Sequence, residues 1–290
     1  VALKGQNRLA WLGVAFGVLL LVAAVATAVS WREGTATSTA STTANSGRLT
    51  HVHGLGVNPA DGQLYVATHH GVFRLSGAEA TRVGDGRQDT MGFTVTGPDE
   101  FLASGHPAPG DQGPAHLGLM HSTDAGRSWQ NLSLAGQADF HLLRFSGGVV
   151  YGLDSTTGAL MASSDRITWQ TRSRIEAYDL AVDPTHPDTL LATTEQGLRR
   201  STDGGRTWTS AGGPPAVLLH WSPRKLVAVT ADGTLVRSLD AAATWSATAG
   251  RAPGDPAALT VHENVIYLAT RDGRVLRSAD AGATWQPMMA

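Results

Sequence analysis

Eight of the eleven histidines in this 290-residue chain fall between residues 51 and 141. Imidazole is the side chain best suited to hold a transition metal or move protons near neutral pH, so their crowding is a chemical signal. They are His51, His53, His69, His70, His106, His116, His121 and His141. His51 and His53 stand two apart in an alternating segment, and a strand there projects both from one face. Asp89 with Met91, and Asp139 with His141, open the corresponding segments further along. His69 and His70, in Thr68-His-His-Gly71, and His106, in Ser104-Gly-His-Pro107, close the segments that come next. Neighbours on a strand point oppositely, so one of His69 and His70 belongs to a shared site.

The chain has no cysteine, which removes thiolate metal sites, disulfides and a cysteine nucleophile. Imidazole and carboxylate without thiolate suit copper, zinc or another borderline divalent ion. The ligand set read from the sequence is His51, His53, Asp139 and His141, with His69, His70, His106 and Asp154 as further ligand-binding residues. The same residues admit two other readings: hydrogen-bonded strand ends lining a hydrated channel, and acid/base catalysis.

Any such site needs strands whose starts and ends converge, and the chain supplies them as a repeat. Ser122-Thr-Asp-Ala-Gly-Arg-Ser-Trp129 returns as Ser201 to Trp208, Ser238 to Trp245 and Ser278 to Trp285, with a shortened copy from Ser163 to Trp169. The aspartates Asp124, Asp165, Asp203, Asp240 and Asp280 are 41, 38, 37 and 40 residues apart. A period near forty signals a propeller or solenoid. Within each copy, Asp accepts from turn N–H groups, Gly permits positive φ, and Trp supplies area to the returning strand. Upstream of each copy a pair of alternating strands surrounds a Gly-containing turn. First strands are expected at residues 51–57, 90–96, 140–145, 178–182, 217–221 and 258–261. Six units of four strands result, an all-β six-bladed propeller over 48–290, with seven blades as the alternative. One strand's start lies beside its neighbour's end, so the histidine-bearing ends share one mouth.

The Ser-x-Asp-x-Gly-x-Thr-Trp motif resembles the Asp box, or bacterial neuraminidase repeat, of sialidase-like propellers. The resemblance implies that the box lies between a blade's third and fourth strands, away from the ligand face, and that the five aspartates are scaffold. Two copies depart from it, since Ala242 replaces the glycine and the Asp165 copy is one residue short. His-x-His-Gly, Thr-His-His-Gly, Met-Gly-Phe, Ser-Gly-His-Pro and Asp-Phe-His together resemble bacterial propellers labelled glycosyl hydrolases or exo-sialidases. That likeness implies a Tyr–Glu nucleophile pair and an acidic Asp, for which Tyr178, Glu195 and Asp89 are the candidates. The Arg-Ile-Pro signature of sialidase first blades is absent. Similar propellers also act as receptors or assembly factors, which makes a glycan, a small ligand or another extracytoplasmic protein a partner class.

A net charge of −2 with 16% charged residues gives no field that would gather phosphates, which argues against nucleic acid, and no nucleotide cofactor is expected. Residues 9–28 carry no charge and are long enough to cross a bilayer as a helix. Lys4 and Arg8 precede them, which leaves everything after Trp31 outside the cell. Residues 1–31 are thus read as a cytoplasmic tip and membrane anchor, placing the propeller on the extracytoplasmic side of the cell membrane. Ala26-Thr27-Ala28 allows a cleaved signal peptide and a secreted protein instead. Residues 32–47 read as a Ser/Thr-rich tether.

Overall fold

Short strands joined by tight turns pair first with their neighbours in sequence, because closing a small loop costs least entropy. Every sheet follows that rule. The computed structural model describes residues 49–289, which form twenty-four strands, β1 to β24, in six antiparallel sheets. Each sheet takes four consecutive strands. The first is β1 (Val52–Val57), β2 (Leu64–Thr68), β3 (Gly71–Ser76) and β4 (Glu79–Arg82). The innermost strands of the other five are β5 (Asp89–Gly97), β9 (Phe140–Ser146), β13 (Asp179–Val182), β17 (Ala216–Ser222) and β21 (Pro256–His262). They lie within two residues of the bounds expected from alternation. Successive inner strands neighbour one another, and β21 returns to β1. The fold is a six-bladed β-propeller.

The second strand of a blade is covered on both faces, which is why its sequence is apolar without alternation. All five residues of β2 are buried, as are those of β14 (Leu190–Thr194). Outer strands such as β4 and β12 (Gln170–Arg174) are largely exposed. The core accordingly divides into six apolar clusters among the described residues, each shared by two adjacent blades. Tyr65, Ala67 and Val72 of the first blade meet Phe93, Phe101 and Met120 of the second. Val52, Leu55 and Val66 meet Ala258, Ala269 and Val275 of the last. That cluster closes the ring by packing, reinforced by Leu49 N–H donating to the Gly273 carbonyl at 2.9 Å, and among the described residues the first and last blades exchange no strand. Closure leaves no inner edge open to pairing.

The repeated Ser-x-Asp turns join third to fourth strands, as Ser122 to Trp129 joins β7 (Leu119–Ser122) to β8 (Gln130–Ser133). Asp124 accepts from the Ser122 hydroxyl at 2.8 Å, the Ser128 N–H at 2.9 Å and the Ser128 hydroxyl at 2.6 Å. Asp203, Asp240 and Asp280 repeat this pattern with Thr207, Thr244 and Thr284. Ala242 takes the glycine's left-handed φ of 70° and keeps its N–H on the Ser238 hydroxyl at 2.9 Å, so that turn is preserved. The shortened turn differs: Asp165 accepts from the Ile167 and Thr168 N–H groups, and Arg166 carries the left-handed conformation. Trp169 and Trp208 reach back to the preceding blade, their indole N–H groups donating to Ser133 and Ser173.

Among the described residues no helix is long and apolar enough to cross a membrane. The segment expected to be an anchor and the tether after it lie outside the described residues.

Candidate metal centre

Inner strands begin, and second strands end, at the rim opposite the Ser-x-Asp turns, because antiparallel neighbours run in opposite directions. In the first blade β1 carries His53, and His69 follows the end of β2. In the second, Asp89 at the start of β5 pairs in register with His106 at the end of β6 (Glu100–His106). Asp139 immediately precedes β9, which carries His141. His116 comes from the loop after His106, held where Leu117 N–H donates to the Gly105 carbonyl and Gly136 N–H to the His116 carbonyl, both at 2.8 Å.

These side chains form two adjoining groups. His53, His69 and Asp89 present one donor atom each within 4.8 Å of one another, as do His106, His116 and Asp139. In the first group His53 Nε2 lies 3.7 Å from Asp89 Oδ1 and His69 Nδ1 lies 3.8 Å from Asp89 Oδ2. In the second, Asp139 Oδ2 has His106 Nε2 at 3.3 Å, His116 Nδ1 at 3.9 Å and His141 Nε2 at 3.0 Å. Most of these separations are too long for hydrogen bonds. They are near the edge of a coordination tetrahedron, about 3.3 Å for ligand bonds of about 2.0–2.1 Å. His53 Nε2, Asp89 Oδ1, His116 Nδ1 and Asp139 Oδ1 are buried atoms without a hydrogen-bond partner. Buried polar atoms are rarely left so, and orphaned atoms in each of the two groups are what a bound ligand would satisfy.

The electrostatics suit a cation. Burial pushes the His53 imidazole down to about 4 against the pull of Asp89, with His69, His141 and His51 adding to the effect, so the ring is neutral with a free lone pair at neutral pH. Burial also lowers His69, aided by His51, His70 and His106 and opposed by Asp89. Asp139 is only 4% exposed. Burial pushes its carboxyl up, yet the Ser155 hydroxyl and the His141, His106 and His116 rings together hold it below the usual range. Asp139 is also fixed in place: its N–H donates to Asp154 Oδ1 at 3.1 Å, and its Oδ2 accepts the Ser155 hydroxyl at 2.6 Å.

Three of the four ligands read from the sequence fall in these groups. His53 belongs to the first, and Asp139 and His141 to the second. His51 does not lie in β1 with His53; it precedes the strand with φ 46°, and β1 is bulged between Val52 and Gly54. Its ring reaches the cluster through His69, at 4.5 Å between centroids. Of the Thr-His-His-Gly pair, His69 faces the cluster and His70 is exposed. Asp154 serves the framework, accepting from the Thr156 N–H and hydroxyl in its own turn as well as from Asp139. His116 had no assigned role in the sequence reading. His121 lies elsewhere, 2.9 Å from Glu100.

The proposed nucleophile group is not assembled. Asp89 stands among the histidines, while Tyr178 is 58% exposed and shares no hydrogen bond with Glu195, an exposed residue in the turn after β14. Asp179, beside Tyr178, is occupied by Arg144 and by the Leu219 N–H at 2.8 Å. Next to these two groups opens a cavity of about 1110 Å³, to which His51, His53, Met91, His141, Tyr178 and Arg271 contribute.

No family model matches the sequence, and no curated protein matches it. Solved structures resemble the fold at low identity. A chain of a nidogen/laminin complex superposes with a TM-score of 0.63 at 11% identity, over 79% of this chain and 93% of that one. The GH74 enzyme of Niastella koreensis gives 0.55 at 14% identity over 82% of this chain, which spans only 37% of the enzyme. YCF48 bound to a D1 peptide gives 0.51 at 18% identity, over 83% and 82%. At these identities the likeness speaks for the propeller alone.

Proposed function

We propose that this propeller binds a transition-metal ion, copper or zinc, at the histidine-lined mouth of its channel, on the extracytoplasmic side of a membrane. The observation that carries the proposal is the pair of histidine–aspartate groups whose buried donor atoms lack hydrogen-bond partners. Neutral imidazole with carboxylate suits either ion, and the thioether of Met91 on the adjoining cavity adds a soft donor that favours copper. The apolar residues 9–28 after Lys4 and Arg8 support export and anchoring. The repeated Ser-x-Asp turns, with their shared hydrogen bonds, support kinship with Asp-box propellers.

Glycoside hydrolysis is the second reading, favoured by the cavity beside the cluster and weakened by the separation of Tyr178, Glu195 and Asp89. Equilibrium dialysis of the metal-free full chain against Cu(II) or Zn(II), followed by elemental analysis, tests the first. Stoichiometric uptake that falls at least tenfold in a His53→Ala/His116→Ala/Asp139→Asn variant supports it. Equal uptake by both proteins, or none by either, overturns it.

A further inference from the structure

His106 stands between the two groups. Its Nδ1 lies 3.6 Å from Asp89 Oδ2 and its Nε2 lies 3.3 Å from Asp139 Oδ2. One imidazole therefore addresses two carboxylates, each with its own further histidines: His53 and His69 around Asp89, His116 and His141 around Asp139.

The two nitrogens of an imidazole ring diverge, so a single ion cannot take both. A hydrogen-bonding role would satisfy the surrounding atoms, yet unpartnered buried atoms occur on both sides: His53 Nε2 and Asp89 Oδ1 on one, His116 Nδ1 and Asp139 Oδ1 on the other. One ion would complete one side and leave the other orphaned, with a largely buried carboxylate lacking a cation.

We propose that the mouth is a two-ion centre bridged by His106 as an imidazolate, Nδ1 on the ion held by His53, His69 and Asp89, and Nε2 on the ion held by His116, His141 and Asp139. This rests on the metal-binding reading above. Binding of the second ion displaces the remaining ring N–H proton of His106 to bulk water, and no electron is transferred. Two divalent ions, +4 together, then face two carboxylates and one imidazolate, −3 together, so each carboxylate has a cation of its own and the centre keeps a net charge of +1. His106 is set for the task by its backbone: Gly105 before it has φ 148°, and the strand pairing fixes His106 opposite Asp89.

The test is titration of the metal-free full chain with Cu(II), followed by electron paramagnetic resonance. The bridge predicts two equivalents bound and a doubly loaded protein almost silent in resonance, because an imidazolate couples the two Cu(II) spins antiparallel. His106→Gln, which keeps a polar side chain but cannot bridge, is expected to recover the signal of isolated Cu(II). Saturation at one equivalent, or two equivalents with the full intensity of two independent spins in the unmutated chain, overturns the bridge and leaves metal binding standing. Absence of any uptake removes both. The unmutated chain decides the matter even if the variant fails to fold.

Discussion

Gly105 lies so close to Asp89 that a Cβ at position 105 would fall 1.9 Å from the Asp89 carbonyl oxygen. The contact couples the end of one strand to the start of its partner, and with them His106 to Asp89. Gly105→Ala must therefore move one of the two as well as strain a φ of 148°. It is expected to cost at least about 2 kcal/mol and to abolish metal uptake. Gly110→Ala is the control, since Gly110 also has a positive φ but no heavy atom within 4 Å of its Cβ position. Denaturant midpoints that match between the two variants contradict the argument.

Ala242 occupies a left-handed position that glycine fills in its sister turns, at Gly126, Gly205 and Gly282. The left-handed conformation costs an alanine about 1–2 kcal/mol, while glycine's added freedom in the unfolded chain returns part of that. Ala242→Gly is expected to stabilise the propeller by about 0.5–1 kcal/mol, read as a rise in Tm. A fall in Tm means that the turn is held by something other than its backbone.

Arg144 of the third blade and Asp179 of the fourth form a largely buried ion pair beside the channel. Arg144 also donates to the Leu180 carbonyl at 2.6 Å, and Asp179 accepts from the Leu219 N–H of the fifth blade. Three blades are thus tied at one point. Removing one partner strands the other charge, so Asp179→Ala should destabilise by about 3–5 kcal/mol. A loss under about 1 kcal/mol in urea unfolding would mean that water reaches the pair freely.

Acid should weaken the metal-free protein in two stages. His53 and His220 are held down to about 4 from 6.5, by burial first in both; around His220 the charges of Arg144, Lys225 and His262 add to it. The unfolded chain therefore binds more protons between those values, and stability that is complete above 6.5 is lost as pH falls toward 4. Asp240 and Asp280 are held at about 2 against 3.8, chiefly by the Thr244 and Thr284 hydroxyls and N–H groups. Their contribution is present above 3.8 and disappears as pH falls through 2. Tm measured against pH should show both declines, with His220→Gln reducing the first. A Tm unchanged from pH 7 to pH 4 contradicts the assignment.

Much of the fold was legible because each blade repeats one local pattern. Alternation placed the six inner strands within two residues, and the Ser-x-Asp period gave their number. The mouth was legible as a place, since strand direction alone sends His53, His69, His106 and Asp139 to one rim. Its membership was less so. A bulge in β1 leaves no trace in alternation, which is why His51 was placed on the strand with His53. His116 arrives on a Pro- and Gly-containing loop whose path depends on Gly105 and Gly136, far from it in sequence terms. Asp154 heads Asp-Ser-Thr-Thr, a pattern whose hydroxyls and N–H groups close a turn on the carboxylate, while the residue also lines the cavity beside the cluster. Asp179 was read beside Tyr178, while its true partner, Arg144, comes from another blade.

The most direct test of the metal centre is anomalous diffraction from crystals of the full chain soaked in Zn(II) or Cu(II), collected on both sides of the metal's absorption edge. The account predicts anomalous density among His53, His69 and Asp89 and among His106, His116 and Asp139. Density confined to other histidines, such as His186 beside Asp183, with none at the mouth, would contradict it.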